Sequence, residues 1–127
     1  MMIKPEAVAA GKVGAILGQI ELNGFRIERI RSFQFTKEQA EGFYDVHRER
    51  PFFADLVQYM TSGTVVGAHV RREDAVRRMR ELVGATNPAE ATCGTIRFLH
   101  GTSLQENAVH ASDSVENARR ELGIVFG

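Results

Sequence analysis

The spacing of apolar residues changes several times along this chain, and the order of those changes constrains the fold more than any other feature. Val13, Ile16, Leu17 and Ile20 follow the i, i+3, i+4, i+7 spacing of one helical face, and Gly24 stands where a C-terminal cap belongs. From Phe25 to Phe35 the apolar residues alternate, but Phe25 and Ile27 are on one phase and Phe33 and Phe35 follow a shift near Ile30, which predicts a half-buried strand with a bulge. Lys37 to Arg48 reads as a polar-faced helix, and Pro51 breaks it before a second helix over Phe52 to Met60. The β-branched run Thr64 to Val70 predicts a strand, and Ala75, Val76, Met79, Leu82 and Val83 return to helical spacing ahead of Gly84. Residues 85–106 hold no sustained period and contain Pro88, Gly94 and Gly101, so they read as a long structureless binding loop. Asn107 to Ala111 predicts a short strand; Asp113, with Glu116 three residues on, starts a last helix that Gly123 closes. With Met1 to Lys4 as a first strand, the order has two strand–helix–strand units. The expected class is α+β: a ferredoxin-like sandwich, its four-stranded antiparallel sheet covered by helices.

No repeat, low-complexity tract or linker divides the 127 residues, so one domain over 1–127 is expected. The 16 basic residues balance the 16 acidic ones, and no basic run is interleaved with aromatics, which argues against a specific nucleic-acid partner. No segment has the length and hydropathy of a membrane span, Met1 to Val13 lacks the apolar run of a signal peptide, and Cys93 is the only cysteine. These features together predict a cytoplasmic protein that does not enter a membrane.

Chemistry must come from scattered residues, because no GxxxxGK[ST] loop is present and Gly11, Gly14 and Gly18 fall within the first helical segment. Lys4, Arg80, Thr86, Arg97, Asn107 and His110 lie at predicted strand ends, at the end of a helix and in the long loop. A guanidinium fork, an ammonium, a hydroxyl and an amide are the donors that suit a polyphosphate. His110, between a strand and a helix start, could attack phosphorus through a free ring nitrogen or could merely hydrogen-bond the helix N-terminus, and spacing alone leaves both open. His47, His69 and His100 read as structural or exposed. Arg71, Arg72, Arg77 and Arg78, interleaved with Glu73, Asp74 and Glu81, read as a solvated face.

Six blocks in order, Met2-Ile-Lys-Pro-Glu-Ala-Val, Arg50-Pro-Phe-Phe, Tyr59-Met-Thr-Ser-Gly, Gly84-Ala-Thr-Asn-Pro-Ala, Gly94-Thr-Ile-Arg and Asn107-Ala-Val-His-Ala-Ser-Asp-Ser, closely resemble the nucleoside diphosphate kinases. The last block matches the family's active-site signature, Asn-x-x-His-[Gly/Ser/Ala]-Ser-Asp. The resemblance implies exchange of a terminal phosphate between nucleoside triphosphates and diphosphates through a phosphohistidine on His110, oriented by Glu121, which Ser112 supports. It places Lys4 and Asn107 at the ribose hydroxyls, Arg80, Thr86 and Arg97 at the phosphates, and Tyr44 beside the histidine. Phe52 would stack on the base between apolar walls from Leu56 and Leu104. Mg²⁺ would travel with the nucleotide phosphates rather than rest in a protein cage, and homo-oligomers, tetramers or hexamers built from dimers, would be expected. One departure stands out. Where the family continues Gly-Asp after Arg97, this chain has Phe98, Leu99 and His100, which puts a bulky residue at a position where glycine could take φ > 0. A nucleotide-binding module without turnover is the competing class.

Overall fold

The structure, a computed structural model, describes residues 1–127. Four strands, β1 (Met2–Ile3), β2 (Arg26–Phe33), β3 (Val65–Arg71) and β4 (Val109–His110), form one sheet in the order β2-β3-β1-β4, every neighbouring pair antiparallel. The helices are α1 (Pro5–Ala9), α2 (Val13–Leu22), α3 (Lys37–Phe43), α4 (Phe53–Met60), α5 (Ala75–Val83), α6 (Ile96–His100) and α7 (Val115–Phe126). The β1–α2–β2 and β3–α5–β4 units give the ferredoxin-like arrangement expected from the sequence.

Alternation along the strands divides the core between the two faces of the sheet. Ile3, Val66 and Val109 pack with Ile16 and Ile20 of α2, Met79 and Val83 of α5, and Ile96 of α6. Met2 and Val65, one residue out of phase, pack with Ala40 and Phe43 of α3, Val57 and Met60 of α4, and Val125 of α7. Burial at this level, at about 1.5–3 kcal/mol for each large aliphatic side chain, is the main stabilising contribution. The two-residue β1 is central, and its register sets Met2 opposite His110 and Ile3 opposite Val109. His110, on the edge strand β4, is thus held by its pairing with the central β1. No helix is long and apolar enough to cross a membrane.

Several local expectations need correction. The bulge in β2 is present, as a register shift between Ile27 and Arg29, but the strand is mainly exposed rather than half buried. It lies at the sheet edge, and the buried phenylalanines, Phe25 and Phe35, flank it instead of lying within it. The helix predicted over 37–48 ends at Phe43 and gives way to a 3₁₀ turn at Asp45–His47, because the Arg120 guanidinium takes the carbonyls of Gly42 and Phe43 at 2.6 and 3.0 Å. Its start was not legible from period: Thr36 and Gln39 form a reciprocal capping box. Residues 85–106 are not structureless, since they contain a 3₁₀ turn at Pro88–Glu90 and α6. Phe98 lies inside α6, and it is not among the residues with positive φ, so it needs no glycine. The last helix is capped by the Ser114 hydroxyl, which accepts from the Asn117 amide at 3.0 Å, while the Asp113 carboxylate accepts from the Asn117 side chain. Nor does Gly123 end that helix; α7 continues to Phe126 because Val125 is buried against the sheet beside Gly67.

Candidate active site

The chain enters β4 through a tight turn. Ala108 has φ 75°, and the Val109 amide donates back to the Asn107 carbonyl at 2.9 Å, the geometry of a γ-turn with positive φ, which is strained for a residue carrying a Cβ. The Lys4 amide donates to the Ala108 carbonyl at 2.8 Å and holds the turn from β1. His110 follows, its side chain 20% exposed.

The His110 Nε2 lies 2.7 Å from Glu121 Oε1, and the Ser112 hydroxyl donates to the same oxygen at 2.7 Å. A carboxylate can only accept, so Nε2 carries the proton and donates, which leaves the Nδ1 lone pair free. Burial pushes the His110 pKa below its ordinary 6.5, against the hydrogen bond and charge of Glu121, and the ring is therefore neutral at pH 7. Burial alone would raise the Glu121 carboxyl, but the hydrogen bond from His110 and the His110 charge, with the bond from Ser112, hold it below the usual range. A neutral imidazole with an oriented, unprotonated nitrogen is a nucleophile.

The ring is held by edge contacts from Phe43 and Tyr44, with centroids at 4.9 and 5.5 Å. Tyr44 then stacks on His47 at 6.5 Å, and His47 meets Phe52 at 5.4 Å. An aromatic row therefore runs from His110 to Phe52, which is 47% exposed at the start of α4. His47, which the sequence reading set aside, belongs to this row. Its position three residues after Tyr44 and five before Phe52 is the signal that was available. Leu56 is one helical turn beyond Phe52, its amide bonded to the Phe52 carbonyl at 2.9 Å. Leu104 is 63% exposed on the loop; the adjacent Gln105 side chain donates to the Asp55 carbonyl of α4 at 3.3 Å and brings the loop against that helix.

Cations close the other side. Arg97, largely buried on α6, donates to the Val109 carbonyl at 2.9 Å and the Gly84 carbonyl at 3.2 Å. Arg80 donates to the Ala111 carbonyl at 3.4 Å. The two guanidinium groups thus grip the carbonyls on either side of His110. Lys4, buried at the N-terminal cap of α1, reaches the Gln105 carbonyl at 3.3 Å. Asn107 donates to the carbonyls of Thr86 and Leu104 at 2.9 and 3.1 Å, which puts exposed Thr86 at the same end. Burial and the neighbouring Arg80 lower Arg97 to about 10; burial, then Arg97, lower Lys4 to about 8. Cations that disfavour one another in this way are stabilised by an anion. Three of the four buried polar side-chain atoms without a partner, Tyr44 Oη, Arg97 Nε and Asn107 Oδ1, belong to residues already singled out. Unsatisfied groups gathered around one histidine mark a binding site. No group of three or more His, Cys, Asp and Glu side chains is arranged to hold a metal, and a surface groove of about 550 Å³ lies elsewhere, between β2 and the end of α7.

Comparison with known proteins agrees with this geometry. The chain is 53% identical over 125 residues to a nucleoside diphosphate kinase of Campylobacter jejuni and 54% identical over 125 residues to one of Lawsonia intracellularis, in each case covering 98% of this chain and 91% of the relative. The structure of the Aquifex aeolicus nucleoside diphosphate kinase superposes with a TM-score of 0.97 at 45% identity, covering 99% of this chain and 92% of that one. A halophilic nucleoside diphosphate kinase from Halobacterium salinarum, solved in complex with CDP, gives 0.91 at 34% identity, over 97% of this chain and 82% of that one. A sequence profile of the family described as Nucleoside diphosphate kinase matches residues 1–127. The chain belongs to the nucleoside diphosphate kinase family of phosphotransferases.

Proposed function

We propose that this domain, spanning residues 1–127, carries the γ-phosphate of a nucleoside triphosphate to a nucleoside diphosphate with His110 as the covalent carrier. The observation that carries this reading is the donation of His110 Nε2 to Glu121, since it leaves Nδ1 as the free nucleophile. Nδ1 attacks the γ-phosphorus, an N–P bond forms, and the P–O bond to the β-phosphate breaks as the diphosphate leaves. A terminal oxygen of the second diphosphate then attacks the phosphohistidine and restores the neutral ring. Throughout, Glu121 accepts the Nε2 proton's hydrogen bond and balances the charge that grows on the imidazole, and Ser112 holds Glu121.

Arg80, Arg97 and Thr86 meet the phosphates, and Lys4 adds its charge there while contacting, with Asn107, the ribose hydroxyls. Fixed positive partners matter most in a loose, in-line transition state, where charge collects on the equatorial oxygens. The Tyr44 hydroxyl, buried without a partner, adds a donor beside the histidine. Phe52 offers a half-exposed ring to the base, with Leu56 and Leu104 beside it. Stacking reads a π-face that every base has, so base tolerance is broad. A site of cations and neutral donors suits phosphate and does not suit a bare Mg²⁺, so Mg²⁺ enters as part of the nucleotide. The exposed edge strand β2, with Ile30 52% exposed, supports assembly into dimer-based tetramers or hexamers. The cytoplasm is the compartment that suits this chemistry.

Incubation with labelled ATP tests the proposal. The label becomes acid-labile and alkali-stable, and His110→Ala abolishes it; retention of the label in that variant contradicts the assignment, and nucleotide binding without labelling favours a module without turnover.

A further inference from the structure

The Glu121 carboxylate has two oxygens, and only one of them serves His110. Oε1 accepts from His110 Nε2 and from the Ser112 hydroxyl, both at 2.7 Å. Oε2 has Arg120, the preceding residue of α7, as its ion-pair partner, with Nη2 at 3.8 Å. The same guanidinium donates through Nη1 to the Gly42 carbonyl at 2.6 Å and through Nη2 to the Phe43 carbonyl at 3.0 Å. These carbonyls belong to the last turn of α3, where a helix leaves its acceptors without regular partners and its dipole favours a cation. Phe43 is the last residue of that helix and Tyr44 its C-cap. The rings of both meet the His110 ring edge-on, with centroids at 4.9 and 5.5 Å.

We propose that Arg120 is a positioning residue for His110: its guanidinium fork locks the end of α3, and with it the Phe43 and Tyr44 rings, to the carboxylate that accepts from His110 Nε2. This deepens the reading of His110 as the phosphate carrier, and rests on it. The ion pair is too long for a hydrogen bond, and the Arg120 side chain is 34% exposed against 10% for Glu121, so as electrostatics it contributes little. What the fork supplies is geometry. Glu121 orients the imidazole through Nε2, the two aromatic rings bound its edges, and Arg120 is the one side chain that contacts both supports. Nδ1 must meet the phosphorus in line with the leaving oxygen, and a misplacement of about 1 Å in such an arrangement costs on the order of 100-fold in rate.

The partners of Arg120 are Glu121 and two backbone carbonyls, none of them a group assigned to the nucleotide. Its loss therefore falls on phosphoryl transfer rather than on nucleotide affinity. Lysine is not equivalent, because an ammonium keeps the charge and lacks the planar fork that spans two adjacent carbonyls. Arg119, one residue earlier on the same helix and exposed, supplies the comparison, since its removal takes away the same charge without the clamp.

Arg120→Met, Arg120→Lys and Arg119→Met are compared with wild type by rapid-quench formation of the phosphohistidine from labelled ATP and by calorimetric binding of ADP, with thermal unfolding to establish that each is folded. Arg120→Met is expected to slow labelling about 10- to 100-fold, Arg120→Lys to fall between it and wild type, and Arg119→Met to match wild type. The Kd for ADP is expected to stay within about twofold of wild type in all three. A folded Arg120→Met that labels at the wild-type rate overturns the proposal. So does an Arg119→Met slowed as much as Arg120→Met, or an ADP Kd that rises as far as labelling falls, the mark of a pocket that has merely loosened. If Arg120→Met does not fold, Arg120→Lys decides: slower labelling at unchanged Kd supports the clamp, and the wild-type rate overturns it. A wild type that takes no label at His110 refutes the carrier itself, and the clamp with it.

Discussion

Replacing Lys4 with methionine is expected to make the protein more stable while removing the proposed activity. Lys4 is 7% exposed, and its pKa falls from 10.5 to about 8, first through burial and then through Arg97. At about 1.4 kcal/mol per pH unit, that fall is about 3 kcal/mol of unfavourable charge burial at neutral pH. Methionine has a similar length and no charge, so the variant recovers this energy and loses only the hydrogen bond to the Gln105 carbonyl, about 1 kcal/mol. The net gain is about 2 kcal/mol at pH 7. The pH dependence follows from linkage. Because the folded pKa is the lower one, the unfolded chain binds the extra proton between about pH 8 and 10.5, and wild-type stability rises with pH through that window. Denaturant unfolding of both proteins at pH 7 and at pH 10 should therefore show a clear advantage for Lys4→Met at the lower pH that fades at the higher one. A variant less stable than wild type at pH 7, or a difference that does not depend on pH, would refute the argument that Lys4 is held in the fold at an energetic cost for the sake of function.

Glu121→Gln replaces a charge-assisted hydrogen bond to His110 by a neutral one, a loss of about 1.5–3 kcal/mol, and steady-state kinetics should show kcat/KM reduced roughly 10- to 100-fold. Since burial holds the His110 pKa below its ordinary 6.5, the acid limb of phosphohistidine formation, followed by rapid quench against pH, should have its midpoint below 6.5; a midpoint above that value would mean that the ring is not desolvated. Phe52→Ala removes the half-exposed ring proposed to stack on the base and should raise KM roughly tenfold, in line with about 1–3 kcal/mol per stacked base, with little change in thermal stability. Gly84 has φ 90°, and a Cβ there would meet Thr95 Oγ1 at 2.6 Å; Gly84→Ala should cost more than about 2 kcal/mol in denaturant unfolding, because Thr95 caps α6 and the Gly84 carbonyl holds Arg97.

The parts of the fold that could be read in advance were those with sustained periodicity. Val13 to Ile20, Thr64 to Val70 and Ala75 to Val83 each carry enough apolar residues at one spacing to define α2, β3 and α5, and their order already implies two strand–helix–strand units. What escaped was local or short. The five residues of α6 are too few to show a period and depend on the Thr95 cap; the exchange of roles between Asp113 and Ser114 at the start of α7 is decided by side-chain geometry; and β2 is exposed because of its place at the sheet edge, which alternation does not encode. The same division holds in the site. The types of Lys4, Arg80, Arg97, Asn107 and His110 suggested a polyphosphate, whereas their convergence depends on β1 pairing with β4 and on Arg80 and Arg97 gripping the Ala111 and Val109 carbonyls. Spacing left the role of His110 open between nucleophile and helix cap; the helix start is capped by Ser114, and the free Nδ1 of His110 faces no such duty. His47 was missed because its partners are aromatic rings that only the 3₁₀ turn after α3 brings together.

The position of the phosphate on the ring is the most direct test. Phosphorylated protein, examined by ³¹P NMR under alkaline denaturing conditions and by alkaline digestion to the free phosphohistidine, should carry the group on Nδ1 of His110, because Nε2 is engaged with Glu121. Phosphate found on Nε2, or on any other residue, would contradict the account.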